Sequence, residues 1–309
     1  MNSLDSGTTN EPPVFDNSLR GVVLVLGSLH YDIMIQAPHR PATGETVTGQ
    51  RWFPKFGGKG GNQAVAAQLH GGQVRFVSAT GSDNFADFLR ERLTQVGIST
   101  EFVSQLQSVG SGMSVAIEDS DGDYGAVIVS GANLVIPEQT LYQESLWQNC
   151  GLLLLQNEVP EALNLIAAKQ ARQRQIPVCL NAAPVRELSR EFTDLIDILV
   201  VNSVEAHALG SAVVDSLDAA EIAAKELAKQ YPTVVVTAGG DGVAVASAGV
   251  ESIKLPAMPI EVVSTHGAGD VFTGTLCAEL VAGNSMQAAV KKANDKAVSY
   301  THLTLPTKA

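Results

Sequence analysis

Short, mostly apolar runs punctuate the chain at Val22–Leu26, Val74–Val77, Leu152–Leu155, Pro177–Leu180, Ile198–Val201 and Val234–Thr237. Runs of this length without polar alternation suit parallel strands covered on both faces. Amphipathic segments lie between several of them. Asn84–Val96 places Phe85, Phe88, Leu89, Leu93 and Val96 on one face, and Glu161–Arg174 and Ala219–Gln230 share the helical period. Strand alternating with helix predicts an α/β protein with a central, mostly parallel sheet wound by right-handed crossovers. Two regions, Tyr31–Phe56 and Glu101–Val129, instead read as short strands with no helix between them. Met113–Ile117 and Tyr124–Val129 flank Asp119-Ser120-Asp121-Gly122-Asp123, a hairpin turn signal. The expectation is a small antiparallel sheet that covers the site. The acidic turn lacks the twelfth-position Glu of a calcium loop and reads as a solvated tip.

The 309 residues, 45% of them hydrophobic, allow one large α/β domain or two small ones. Twenty basic against 32 acidic residues give a net charge of −12, which argues against a nucleic-acid or anionic-membrane surface. Cys150, Cys179 and Cys277 are widely spaced and read as reduced thiols of a cytoplasmic protein. The first twenty residues lack an apolar run and read as a disordered tail rather than a signal peptide. No stretch approaches the roughly 18 apolar residues of a membrane-spanning helix. His39, His70, His207, His266 and His302 show no metal-ligand spacing.

Candidate chemistry concentrates in two glycine-rich segments. Ser264-Thr265-His266-Gly267-Ala268-Gly269-Asp270 precedes an apolar, helical stretch. Backbone N–H groups of Gly267, Ala268 and Gly269, together with the dipole of the following helix, would form an anion hole. Asp270 at its mouth suits a base that takes a proton from a hydroxyl attacking phosphorus; the same residues also make an ordinary capped turn. His266 reads as a spacer. Phe56-Gly57-Gly58-Lys59-Gly60-Gly61-Asn62 opens a second helix, read as Gln63 to Leu69, and offers close backbone approach with Lys59 and Asn62 as polar groups. Better-known nucleotide motifs fail: no Gly-x-Gly-x-x-Gly follows the first strand, and Gly44–Gly49 has P-loop spacing but Gln50 where lysine is needed.

Seven segments in order resemble the ribokinase-like (PfkB) family of sugar and nucleoside kinases, from about Val22 to Ser299. They are Gly27–Asp32, Gly44–Gly49, Gly57–Ala67, Gln156–Pro160, Asn181–Pro184, Asn202–Glu205 and Thr237–Gly242, ahead of the Gly-Ala-Gly-Asp segment. The resemblance implies a ribokinase-like fold over residues 21–299, with a lid from about 31–56 and 101–129. It implies ATP-dependent phosphorylation of a primary sugar hydroxyl. His30, Asp32, Gly58, Lys59, Asn62 and Glu158 would bind the acceptor. Asn202, Thr237, Gly239, Gly242 and Asn294 would bind the nucleotide. Glu205 would orient Mg2+ through water, although Asn-x-x-Glu is also a capping box. The lid is often a dimer contact in the family, so a homodimer through it is an open expectation.

Three departures qualify these expectations. His30 stands where ribokinases usually carry a sugar-binding Asn, which questions ribose as the acceptor. Ser264 replaces an Asp that helps bind a monovalent cation; a hydroxyl is a weaker ligand, which puts K+ activation in question. Tyr300–Ala309 lacks the family's loop and closing helix and reads as a non-native ending. The alternatives left open are a nucleoside or other carbohydrate kinase and a catalytically silent sugar or nucleotide sensor.

Overall fold

The computed structural model describes residues 19–119, 124–258 and 267–302. The order is β1 (Val22–Leu26), β2 (His30–Gln36), β3 (Arg51–Gly57), α1 (Lys59–Leu69), β4 (Gln73–Thr80), α2 (Asn84–Gln95), β5 (Val103–Gln105), β6 (Met113–Glu118) and β7 (Tyr124–Val129). There follow α3 (Glu144–Trp147), β8 (Cys150–Gln156), α4 (Glu161–Gln173), β9 (Val178–Asn181), α5 (Arg190–Thr193), β10 (Ile198–Asn202) and α6 (Ser203–Ala208). The chain continues through α7 (Leu217–Leu227), β11 (Thr233–Thr237), β12 (Val243–Ser247), β13 (Ile253–Leu255), α8 (Ala268–Val281) and α9 (Met286–His302).

Nine strands form one sheet in the order β13-β12-β11-β10-β9-β8-β1-β4-β5. All six apolar runs fall in its parallel part, and β12 and β13 append antiparallel strands at one edge. Alternate residues of each strand serve opposite layers. Leu24, Leu26, Leu153 and Leu155 pack with Leu163 and Ala167 of α4 and Ala220 and Ala223 of α7. Val23, Val25, Leu152 and Leu154 pack with Leu89 and Leu93 of α2, Leu276 and Leu280 of α8, and Val290 of α9. Coverage on both faces is why the strands show no polar alternation.

The second sheet, β3-β2-β6-β7, is the expected lid. Its outer pairs are antiparallel, and β2 and β6 join them in parallel register. Tyr31 of β2 stacks on Phe85 at 4.2 Å and meets Phe88 edge-on at 4.9 Å. The aromatic residues of α2 therefore anchor the lid, while Leu89 and Leu93 go to the core.

Two assignments change. Val103–Gln105, expected in the lid, pairs parallel with β4 at the edge of the large sheet. It completes a strand–helix–strand unit with α2, and buried Phe102 and Val103 hold it there. Helix α1 opens at Lys59, four residues before the expected Gln63. A methyl group on Gly60 would lie 2.5 Å from the backbone of Gly27 and Ser28, so only glycine lets this helix end press against the β1–β2 loop. That contact outweighs the poor helix propensity of Gly60 and Gly61. The hairpin residues 120–123, Ser264, His266, the first eighteen residues and 303–309 lie outside the described residues. Helix α9 continues to His302, past the Ser299 at which the sequence resemblance stops.

Helix α8 is buried from Asp270 to Val281, as befits a mostly apolar sequence with apolar residues all round. It packs on α1 at Gly274, where a methyl group would stand 2.3 Å from the Gln63 carbonyl oxygen and 2.8 Å from Ala66 Cβ. Gly274→Val should destabilise the protein by about 1–3 kcal/mol or more, the usual result of overpacking. Chemical denaturation measures this; wild-type stability would mean the two helices have room to part.

Candidate active site

The parallel strands end on one edge of the large sheet, where open α/β sheets bind ligands. The ends of β1, β8, β9, β10 and β11 bring the sequence-identified segments together there. Asn202 and Thr237, far apart in sequence, are direct neighbours on β10 and β11.

Asp270 lies in the first turn of α8 and is buried. Gly267 caps the helix in the left-handed conformation, φ 91°, and no side chain caps it. Among the described residues, the N–H groups of Ala268, Gly269 and Asp270 have no hydrogen-bond partner. Among the described residues, a methyl group on Gly269 would meet nothing within 4 Å. N–H groups at a helix start, with its positive dipole end, suit an anion.

The Asp270 carboxylate accepts from Asn62 Nδ2 at 3.2 Å and from Gln63 Nε2 at 2.9 Å. Gln63 Nε2 also donates to Asn181 Oδ1 at 2.8 Å, and Asn181 Nδ2 to the Val200 carbonyl at 3.1 Å. The base candidate is thus tied through α1 to β9 and β10. Burial pushes the Asp270 carboxyl above the ordinary aspartate range, against the pull of Lys59 and the two amide hydrogen bonds.

Glu158, two residues beyond β8, clamps a corner. Its Oε2 accepts from Ser28 Oγ at 2.5 Å and from the Lys59 backbone N–H at 2.7 Å. The β1–β2 loop and the start of α1 therefore share one carboxylate. Asp32 projects over Gly57 and accepts from Ser114 Oγ of β6 at 2.5 Å. Burial raises its carboxyl, opposed by Ser114, His30 and Lys55. His30 is buried beside Gly112.

Asn202 and Glu205 form a complete capping box: Asn202 Oδ1 accepts from the Glu205 N–H at 2.8 Å, and Glu205 Oε2 from the Asn202 N–H at 2.9 Å. Burial raises the Glu205 carboxyl, while Lys59 pulls it down and Asp270 adds to the rise. Its charge therefore feels the site centre as well as its own helix. Thr237 donates weakly to the Val201 carbonyl at 3.4 Å. Gly239 and Gly240 form an exposed shelf beyond β11 that nothing in the described protein approaches, whereas Gly242 is pressed to the Leu255 carbonyl. Asn294 of α9 donates to the Pro256 carbonyl at 3.1 Å and so ties that helix to the residue just after β13. Among the described residues no group of three His, Cys, Asp or Glu side chains could hold a metal ion.

Three residues escaped the sequence reading. Gln63 and Asn181 sit inside quoted motifs, but only their contact with each other and with Asp270 reveals their place. Lys55 lies directly opposite Asp32 across β2 and β3. Burial lowers its ammonium below the ordinary lysine range, against attraction to both Asp32 and Asp270. Strand register alone places this lysine in the site. The cysteines take no part: Cys179 and Cys277 are buried, and burial pushes the Cys150 thiol up to about 11.

Fold and site together define a three-layer α/β/α phosphotransferase architecture with a parallel sheet edge, a helix start carrying a buried carboxylate, and a lid. The pfkB carbohydrate kinase family model matches residues 22–299, and the chain belongs to that family. It is 34% identical to a ribokinase of Haemophilus influenzae, covering 88% of this chain and 90% of that protein. It is 31% identical to a deoxyribokinase of Salmonella typhi, covering 88% and 89%. The structure of Arabidopsis thaliana ribokinase with ribose and ATP superposes with a TM-score of 0.85 at 27% identity, over 93% of this chain and 94% of that one. The chain is an ATP-dependent carbohydrate kinase.

The electrostatics make one prediction. Lys59→Met removes the charge that opposes the burial of Asp270, so the Asp270 carboxyl should titrate at still higher pH than in the wild type. Side-chain carboxyl NMR across a pH series reads this directly. An Asp270 titration unmoved by the variant would show that Lys59 does not act on it.

Proposed function

We propose that the enzyme transfers the terminal phosphoryl group of ATP to a primary hydroxyl of a sugar held between the lid and the ends of β1 and β8. The observation that carries the reading is a buried, amide-held carboxylate in the first turn of an uncapped helix. Asp270 takes the hydroxyl proton as the acceptor oxygen bonds to phosphorus and the bond to the ADP oxygen breaks. The N–H groups at the start of α8, Gly267 to Gly269, receive charge on the transferring group, since positioning and electrostatic stabilisation dominate phosphoryl transfer.

Asp32, Glu158, Lys59, Asn62, Gly58 and His30 orient the acceptor. Asn62 already donates to Asp270 in this state, so it links acceptor and base. Asn202, Thr237, Gly239, Gly242 and Asn294 line the nucleotide side. Glu205 suits Mg2+ held through water: it is a buried carboxylate near Asp270 and Lys59, and Mg2+ prefers few carboxylates with waters and phosphates. The ion would supply charge neutralisation at the phosphates. Exposed Trp52, Val127 and Val129 on the lid support pairing of two lids in a homodimer; a monomer in sedimentation at micromolar concentration would rule that out. No helix of the described residues is long and apolar enough to cross a membrane, and three unpaired cysteines fit the cytoplasm. A nucleoside or other carbohydrate acceptor is the second reading, and His30 favours it.

Asp270→Asn should fold and lose about 10²–10⁴ in turnover, the usual contribution of a general base. Asp32→Ala should weaken sugar binding far more than binding of an ATP analogue, by about 1.5–3 kcal/mol for a lost charged hydrogen bond. Coupled ADP release with a sugar and nucleoside panel, and calorimetry, measure both. Near-normal turnover of Asp270→Asn would end the assignment of the base.

A further inference from the structure

Beside Glu158 lies a half-open pocket of about 290 Å³, lined by His30, Asn157, Val159, Pro184, Arg186 and the lid residue Ile128. Several polar atoms of its wall are unpaired. His30, 3% exposed, leaves Nε2 without a partner, and Asn157, 5% exposed, leaves both Oδ1 and Nδ2 without one. Native interiors seldom leave such groups unmet unless a ligand or water completes them.

Arg186 adds the decisive chemistry. Its Nη1 donates to the carbonyls of Asn157 at 3.3 Å and Val159 at 2.8 Å. Its Nε and Nη2 have no protein partner. These two nitrogens share one edge of the guanidinium plane, and their parallel N–H bonds match the paired oxygens of a carboxylate or phosphate. Glu161 attracts Arg186 through space. Its carboxylate accepts instead from the Ser189 N–H at 3.1 Å, and no ion pair joins it to Arg186 among the described residues. The arginine is therefore fixed in place by two carbonyls and left with one buried edge unpaired.

We infer that the acceptor is a sugar carrying an oxyanion, carboxylate or phosphate, taken by the Nε–Nη2 edge of Arg186, with Asn157 and His30 bonding the polar groups beside it. This rests on the sugar-kinase reading and narrows its substrate. Glu158 borders the cavity and also clamps Ser28 and Lys59. The oxyanion pocket is thus continuous with the corner that meets the sugar hydroxyls. A neutral sugar would satisfy Glu158 and Asp32 but leave the arginine edge empty.

The test compares D-ribose, D-ribonate and D-ribose 1-phosphate, which keep the same primary hydroxyl, and the pair D-glucose and D-gluconate. Each is assayed for ADP release and, independently, for binding by calorimetry. An oxyanion form should exceed its neutral parent by about ten- to hundredfold in kcat/KM and in affinity, the range of a charged hydrogen bond. The carboxylate and phosphate arms separate the two sources of oxyanion. Arg186→Lys, which keeps the charge and loses the edge, should remove most of that preference. Asn157→Leu, which leaves the arginine and its carbonyl contacts in place, should reduce it without weakening ATP binding. Neutral sugars bound and turned over as well as their oxyanion forms would overturn the inference, as would a preference unchanged in both variants. If no sugar supports ADP release, the kinase reading fails, and calorimetry on the same ligands still decides the inference.

Discussion

One buried carboxylate organises the structure. Asp270 sits at the start of α8, where a cap would normally be solvated, and burial disfavours its charge. It is tolerable there because Asn62 and Gln63 donate to it and Lys59 stands nearby. All three come from α1, so the charge can be kept only if α1 and α8 lie close. Gly274 permits that approach, and the apolar length of α8 drives it into the core. The helix packing and the electrostatics of the site are therefore one constraint.

The same economy appears at Glu158. A single carboxylate oxygen joins the end of β8, the loop after β1 and the first residue of α1. A helix that begins with glycines has little reason to form alone. It forms here because its end is received by this carboxylate and by the Ser28 carbonyl, which accepts from the Gly61 N–H at 2.9 Å. The lid is attached by different means. Aromatic stacking of Tyr31 on α2 and the Ser114–Asp32 hydrogen bond fix its inner edge, so lid position and acceptor recognition share residues.

Much of the fold was legible in the chain. A strand buried on both faces is mostly apolar, so β1, β8, β9, β10 and β11 announce themselves as apolar runs, and β4 does so less clearly because Arg75 interrupts it. Glycine-rich segments at helix starts are equally local signals, and they marked Gly58, Lys59, Asn62, Gly267 and Asp270. What failed was whatever depends on a partner distant in sequence. Val103–Gln105 is short, and only burial against β4 assigns it to the large sheet. The early start of α1 depends on a contact with Gly27 and Ser28 rather than on propensity.

Sequence by itself determined the alternation of strand and helix, the lid and the order of the motifs, because periodicity and glycine spacing are properties of neighbouring residues. Tertiary structure decided the charges. Lys55 reads as an ordinary strand lysine until register sets it opposite Asp32. Gln63 and Asn181 become one chain of hydrogen bonds to Asp270 only when β9 and α1 meet. Arg186 reads as a surface residue until two carbonyls hold it with an unpaired edge. Burial and pairing are relations between segments far apart in the chain, and pKa and hydrogen-bond capacity follow from those relations.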